Sequence, residues 1–211
     1  MLQLDALLER IEITETGCYS AWEVEKQKLV ELLYCPGDYA IEIGSLFGGT
    51  SQVLGSACKL LNKKLICIDP WESDQCFVEY SNTIANLGDS VITVRARSSE
   101  ALSMLPKNLS GNACLLFIDG DHNYPQPLYD MLNYWPFLSE GGALALHDIF
   151  DIAWHGGVFR SVTEFFRDKP GYCLHAMNYI PTLAETNYAG HHSAGLIWAC
   201  KGKRIMKTGL T

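Results

Sequence analysis

A strand-like run followed by closely spaced glycines is the stretch best suited to hold a ligand. Residues 39–43 alternate apolar and polar side chains, as a strand does, and the three glycines of residues 44–49 then break the pattern. Thr50 or Ser51 can cap the helix predicted to follow. A strand, a glycine turn and a helix N-terminus bring a ligand close to backbone N–H groups, so the stretch predicts a binding site.

Glu42 narrows the chemistry of that ligand. A dinucleotide fingerprint needs glycine at Leu46, and a Walker A phosphate loop needs lysine after Gly49; the chain has neither. A carboxylate two residues before the turn also repels a pyrophosphate, whereas it attracts an amino group or another positive centre. The alternative is a tight turn that holds no ligand.

Asp69 ends the next strand-like run, KLICID, and lies 25 residues beyond Gly44. This is close to the spacing at which an acidic residue accepts the hydroxyls of a ribose. Ribose binding is therefore the favoured role, and a turn before Pro70 is the alternative. Trp71 has two interpretations, a ring that flanks adenine and a ring of the core.

Composition bounds the class of protein. The 211 residues are 48% hydrophobic, which predicts one domain over residues 1–211. A net charge of −8 without a basic cluster argues against a nucleic-acid partner. The sequence contains no apolar run of membrane-spanning length and no signal peptide, so we expect no membrane partner. Eight cysteines without a C-x-x-C pair indicate reduced thiols and a cytoplasmic location.

Five alternations of strand and helix patterns predict an α/β fold, a doubly wound and mostly parallel sheet. The last two strands, near residues 171–179 and 194–202, are joined without helical periodicity, which favours an antiparallel final strand. Apolar stripes predict helices over 1–12 and 22–34. These would form an N-terminal helical extension (residues 1–35) through which a homodimer could form.

Polar residues follow the predicted strands at their carboxyl ends, where open α/β sheets bind ligands. They are Asp69, Ser98, Ser99, Asp119, Asp121, His122, His147 and Asp148. An antiparallel last strand adds the 178–193 loop, with His191 and His192, to the same edge. Ile149, Phe150 and Trp154 are candidates for an apolar wall beside it.

The motifs EIGSLFGGTS, ICIDPW, VRARSSEAL, FIDGDHNY and LSEGGALALHDI together resemble class I S-adenosylmethionine-dependent methyltransferases. The nearest group is the small-molecule O-methyltransferases related to catechol O-methyltransferase and the macrolide-sugar methyltransferases. The resemblance runs from about residue 25 to the last strand. It implies a Rossmann-like seven-stranded sheet of order 3-2-1-4-5-7-6, S-adenosylmethionine as cofactor, and methylation of a small hydroxylated molecule.

The resemblance also implies a set of cofactor contacts. The methionine moiety would lie against Glu42, Gly44, Ser45, Gly48 and Thr50; Asp69 would bind the ribose; Trp71, Arg97 and Ser98 would lie near the adenine; and Asp119 would face the turn across the crevice. Arg97 departs from the pattern, because many relatives carry a small or acidic residue there.

Metal-dependent members of the group place divalent-ion ligands at the positions of Asp119, His147 and Asp148. His147 replaces an acid of better-known relatives, and a histidine ligand favours Mn²⁺, Fe²⁺ or Zn²⁺ over Mg²⁺. The alternative is that Asp119 only orients the cofactor while His147 and Asp148 form local hydrogen bonds.

His122 lies where sugar-modifying relatives carry a basic histidine, so His122 and Asp119 are the catalytic candidates. An imidazole can remove a hydroxyl proton near neutral pH, and nearby carboxylates raise its pKa. The alternative is a histidine that caps the helix predicted over 125–138. Two other functions stay open: a cephalosporin hydroxylase-like, metal-dependent oxygenase, and a protein that binds S-adenosylmethionine without turnover.

Overall fold

The computed structural model describes residues 4–11, 23–150, 152–169, 172–177 and 195–202. The strands are β1 (Tyr39–Ile43), β2 (Lys64–Asp69), β3 (Val91–Arg95), β4 (Ala113–Ile118), β5 (Leu138–Leu146), β6 (His175–Met177) and β7 (Leu196–Cys200). The helices are α1 (Leu4–Leu8), α2 (Glu23–Leu32), α3 (Gly49–Leu60), α4 (Asp74–Thr83), α5 (Ser98–Ala101), α6 (Gln126–Tyr134) and α7 (Ile152–Arg167).

The strands form a single sheet with the order β3-β2-β1-β4-β5-β7-β6. Strands β1 to β5 pair in parallel, and β7 runs antiparallel to both β5 and β6. The predicted order and the antiparallel last strand are confirmed. Because β1 and β4 are neighbours, the loops that follow them meet at the switch point of the sheet, where such folds bind ligands.

Side chains of each central strand alternate between two hydrophobic cores, as the period of a strand requires. In β1, Ala40 faces the core that is covered by α1, α2 and α3, while Ile41 and Ile43 face the core covered by α6 and α7. Glu42 shares the face of Ala40. The carboxylate is therefore buried beneath α3, inside an otherwise apolar layer.

Two elements run through a glycine pair. Strand β5 begins at Leu138 and absorbs Gly141 and Gly142 at a register shift against β4. Helix α7 begins at Ile152 and continues through Gly157. A Cβ at Gly157 would lie 2.3 Å from the carbonyl oxygen of His122, so only glycine lets the helix pack so closely.

The seven cysteines in the described ranges are free thiols, as expected. Across the same ranges, helices are too short or too polar to cross a bilayer. His191 and His192, with the rest of the 178–193 loop, lie outside the described residues, as do the side chains of Trp154 and His155.

Gly44 follows β1 and packs against the backbone of Asp119, which follows β4. It has a φ of +89°, and a Cβ added there would lie 2.1 Å from the carbonyl oxygen of Asp119. We expect Gly44→Ala to lower the free energy of unfolding by clearly more than the ~1–2 kcal/mol that a left-handed backbone alone costs. Gly111→Ala is the matched control, since Gly111 has a φ of +66° in open space. Equal losses for the two variants in urea titrations would contradict this close packing.

Candidate functional site

Glu42 is fully buried beside the glycine turn. Its Oε2 accepts hydrogen bonds from Ser45 Oγ (2.9 Å), Ser51 Oγ and Cys67 Sγ (3.4 Å). Its Oε1 is buried without a hydrogen-bond partner among the described residues. Burial raises the pKa of Glu42 to about 7; the three donors oppose this shift and the charge of Asp119 adds to it. A buried carboxylate with one open oxygen is suited to a cationic group.

The helix after the turn starts differently from the prediction. Gly48 is its N-cap with a φ of +84°, and no side chain caps it, so the expected capping by Thr50 or Ser51 is wrong. The Ser51 hydroxyl donates to Glu42 instead, because Ser51 lies inside the first turn of the helix and faces the buried carboxylate. Thr50 is 6% exposed in the first turn of α3.

Asp69 fixes the conformation of the glycine turn. Its Oδ2 accepts the backbone N–H groups of Ser45 (3.1 Å) and Leu46 (3.0 Å), and its Oδ1 accepts that of Trp71 (2.7 Å). Leu46 has a φ of +44°, and these bonds hold it there. The bond to Trp71 closes a turn across Pro70, as the alternative interpretation has it, and the bonds to Ser45 and Leu46 add a structural role that the sequence did not indicate. Ribose binding stays a prediction.

Trp71 lies in the core, as one of its two interpretations has it. The residue is 2% exposed, its Nε1–H donates to the carbonyl of Leu46 at 2.6 Å, and its ring packs 4.3 Å from that of Tyr80. Little of its surface is open to an adenine, and contact with the cofactor stays a prediction.

The two residues expected near the adenine have partners of their own. Arg97 forms a surface ion pair with Glu72 at 2.6 Å. The Ser98 hydroxyl donates to Asp130 (2.5 Å) and accepts from Gln126 (3.2 Å). Burial raises the pKa of Asp130 to about 6, although the bonds from Ser98 and Gln126 lower it. Their adenine contacts also stay predictions.

Two histidines share two carboxylates at the ends of β4 and β5. His122 Nε2 lies 3.0 Å from Asp148 Oδ2 and 3.5 Å from Asp119 Oδ1. His147 Nδ1 lies 3.2 Å and 3.5 Å from the same two oxygens. At these distances the two carboxylates attract both rings electrostatically. The sheet thus brings together four of the five polar residues that the sequence placed at these strand ends, and Asp121 is the one left out.

Asp119, His122 and Asp148 form a group that could hold a metal ion. Each offers one ligand atom, and these atoms lie within 4.8 Å of one another. The group contains His122, whereas the sequence predicted His147. The loop after β4 places the ring of His122 beside both carboxylates, and the sequence position of His122 does not reveal this. Two carboxylates and an imidazole suit Mn²⁺, Fe²⁺ or Zn²⁺ better than Mg²⁺.

The two histidines and the two carboxylates shift one another's pKa values and so determine their charges. Burial lowers the pKa of His122, but the carboxylates of Asp119 and Asp148 outweigh burial and raise it to about 9. Burial likewise lowers the pKa of His147, and the carboxylates raise it well above the usual value. Burial raises the pKa of Asp119 and of Asp148, yet the histidines bring both below the usual range. At neutral pH the protonated rings therefore neutralise the carboxylates.

The hydrogen bonds of the loop after β4 show the roles of Asp121 and of the start of α6. Asp121 accepts the backbone N–H of Asn123 at 2.9 Å and its side-chain amide at 2.8 Å, so it shapes the loop. The second carboxylate beside His122 is that of Asp148. Helix α6 has Pro125 as its N-cap and no side-chain cap, so the alternative that His122 caps this helix is wrong.

Glu25 is a member of the site that the sequence analysis missed. It is 0% exposed, and its Oε2 lies 3.1 Å from His147 Nε2. A signal existed, because Glu25 lies four and seven residues before Leu29 and Leu32 and therefore falls on the apolar stripe of α2.

A methyltransferase domain family matches residues 41–149. Uncharacterized protein R132 of Acanthamoeba polyphaga mimivirus is 28% identical over 132 residues, which are 61% of this chain and 59% of that protein. The match thus spans less than two thirds of the relative. Cofactor-bound Rv0187 from MTB superposes with a TM-score of 0.70 at 14% identity, over 95% of this chain and 90% of that chain. The O-methyltransferase from Bacillus cereus in complex with SAH gives 0.67 at 15%, over 94% and 90%.

The matched segment is more than half of the chain and runs from β1 to the residue after Asp148. It contains the glycine turn, Asp69 and all four residues of the cluster at the ends of β4 and β5. The structural likenesses, at 14% and 15% identity, support the same fold. The chain therefore belongs to this methyltransferase domain family, of the class I S-adenosylmethionine-dependent type that its motifs resemble.

Proposed function

We propose that this protein is an S-adenosylmethionine-dependent O-methyltransferase for a small hydroxylated molecule, assisted by a divalent cation. One observation carries the proposal. The buried Glu42 and the Asp119–His122–Asp148 group lie at neighbouring strand ends, where the backbone N–H of Asp119 donates to the carbonyl of Ile43 at 2.8 Å. A cation-binding pocket beside a group that can activate a hydroxyl is what methyl transfer to oxygen requires.

The residues present fit S-adenosylmethionine at the glycine turn. The unpartnered Oε1 of Glu42 provides an acceptor for the ammonium group of its methionine moiety. When bound, the cofactor supplies a methyl group that its sulfonium releases to a nucleophilic oxygen. The protein must hold that oxygen about 3–3.5 Å from the methyl carbon and in line with the bond that breaks. Asp69 contributes by keeping Ser45 and Leu46 in place.

The residues also fit a divalent cation. Asp119, His122 and Asp148 would hold it once His122 has lost its proton, and the positive charge of the ion would then replace that of the ring beside the two carboxylates. When bound, such an ion acts as a Lewis acid that makes a hydroxyl group more acidic. The two carboxylates and His122 would then fix the hydroxyl against the methyl donor, and the exposed Phe150, which follows β5, offers apolar contact to the rest of the molecule.

Two assays test the proposal. Release of S-adenosylhomocysteine from a panel of vicinal diols and phenols separates a methyltransferase from a protein that only binds the cofactor. Activity that depends on iron and dioxygen would instead favour the hydroxylase-like oxygenase, because a site of imidazole and carboxylate ligands also suits Fe²⁺.

Chelation is expected to abolish the methyltransferase activity. EDTA removes the ion from Asp119, His122 and Asp148, and Mn²⁺ added in excess should restore the rate, with Mg²⁺ less effective at a site that contains an imidazole. Initial rates before chelation, after it and after metal addition measure the effect. Activity that survives exhaustive chelation would leave the three residues as orienters of cofactor and substrate.

A further inference from the structure

Glu25 connects the N-terminal helix α2 to His147, which lies 122 residues further along the sequence. We propose that Glu25 is a positioning residue that, through its hydrogen bond to His147, fixes the ring that supports Asp119 and Asp148 for cation binding. This inference rests on the proposed function, because it concerns the same cation site.

Burial of the Glu25 carboxylate lowers the stability of the fold, which points to a function for the carboxylate. It occupies the buried stripe of α2, four residues before the fully buried Leu29, where an apolar side chain would pack without penalty. Moving a carboxylate out of water is unfavourable, and a buried ion pair rarely returns more stability than a hydrophobic replacement. Stability alone therefore gives little reason for an acid here.

The contacts form an unbroken path to the cation ligands. Glu25 Oε2 lies 3.1 Å from His147 Nε2, and the other ring nitrogen, Nδ1, lies 3.2 Å from Asp148 Oδ2 and 3.5 Å from Asp119 Oδ1. With one nitrogen held by Glu25, the ring cannot rotate without losing that bond. Its second nitrogen therefore keeps a fixed position against both carboxylates.

His147 thus has the place of a supporting group and His122 that of a ligand. Groups that orient the ligands of a metal typically change its affinity 10- to 100-fold when they are removed. The arrangement also gives α2 a function, because the helix carries the support for a site that is otherwise built from the loops after β4 and β5.

Binding of Mn²⁺ alone tests the inference with no need for a substrate. We expect Glu25→Gln to weaken Mn²⁺ binding about 10- to 100-fold in calorimetry. Binding of S-adenosylmethionine should stay within about twofold, because Glu42 is untouched. Glu25→Asp should recover part of the loss, since it restores the carboxylate on a shorter side chain. Glu31→Gln is the matched control, an acid of the same helix that is 51% exposed and pairs with Lys28.

Equal Mn²⁺ affinity in Glu25→Gln and the wild type would overturn the inference. Failure of the wild type to bind Mn²⁺ would instead overturn the cation-assisted part of the proposed function, so the two failures are distinguishable. A measurement on the wild type covers the case in which the variants do not fold. Histidine ¹⁵N spectra should show the Zn²⁺-induced change of a ligand nitrogen at His122 and not at His147; a ligand shift at His147 would overturn the supporting role.

Discussion

Glutamine in place of Glu42 is expected to weaken binding of S-adenosylmethionine about 10- to 100-fold, which corresponds to the ~1.5–3 kcal/mol of a charged hydrogen bond. The loss arises because the buried Oε1 is the open acceptor for an ammonium group, and an amide carries no charge to attract it. Calorimetry at pH 8 measures the change. Glu140→Gln, at a side chain that is 79% exposed on β5, is the matched control and should bind normally.

The same variant should be more stable than the wild type when no ligand is present. The pKa of Glu42 is about 7 in the folded protein against 4.5 for an unperturbed side chain. Between these values the unfolded chain releases the proton while the folded protein keeps it, so wild-type stability falls as the pH rises through this window. The penalty is on the order of 3 kcal/mol above pH 7, and glutamine, which resembles the protonated carboxyl, avoids it.

The pH dependence of binding follows from the same group. Only the ionised carboxylate attracts a cation, so wild-type affinity for S-adenosylmethionine should rise as the pH rises through about 7. The glutamine variant should lack this rise. Unchanged affinity in Glu42→Gln, with folding intact by circular dichroism, would remove the methionine-moiety assignment. A variant less stable than the wild type at pH 8 would contradict the assigned burial penalty.

The sheet could be predicted from the sequence because strand and helix periods alternate clearly, and because each of the first five strands ends in a polar residue or is followed at once by a polar residue or glycine. The antiparallel last strand followed from a connection without helical periodicity, and β7 confirms it. Boundaries were less predictable where glycines serve close packing rather than turns. Gly157 is an example, since its role appears only when α7 meets the loop of His122.

The site could be predicted as a location but not as a set of contacts. The sequence places Asp119, His147 and Asp148 at strand ends. Whether His122 joins the two carboxylates in the possible metal-binding group depends on the conformation of the loop that carries it. Glu25 was missed because an acid on a helix is ordinarily solvated, and its partner lies 122 residues away. The bonds from Asp69 to the glycine turn depend on backbone dihedrals that no pattern of residue types reveals.

His122→Ala is expected to lower kcat about 10²- to 10⁴-fold, as loss of a group that takes part in proton transfer does, while affinity for S-adenosylmethionine is retained. The pKa of about 9 means that the ring is protonated at neutral pH when it faces Asp119 and Asp148 alone. It can accept a proton only when another positive charge offsets those carboxylates. The expected loss therefore concerns the metal-loaded enzyme, measured at saturating Mn²⁺ and cofactor.

Mn²⁺ affinity of the variant tells the two roles of His122 apart. If His122 is a ligand, its loss weakens Mn²⁺ binding; if it acts only on the proton, its loss removes a competing positive charge and Mn²⁺ binds as well or better. His175→Ala is the matched control, because that ring stacks on Trp198 at the far edge of the sheet, 5.5 Å between centroids. A near-normal kcat in His122→Ala would exclude both roles. Removal of the proton would then fall to water, and the two carboxylates alone would have to hold the cation.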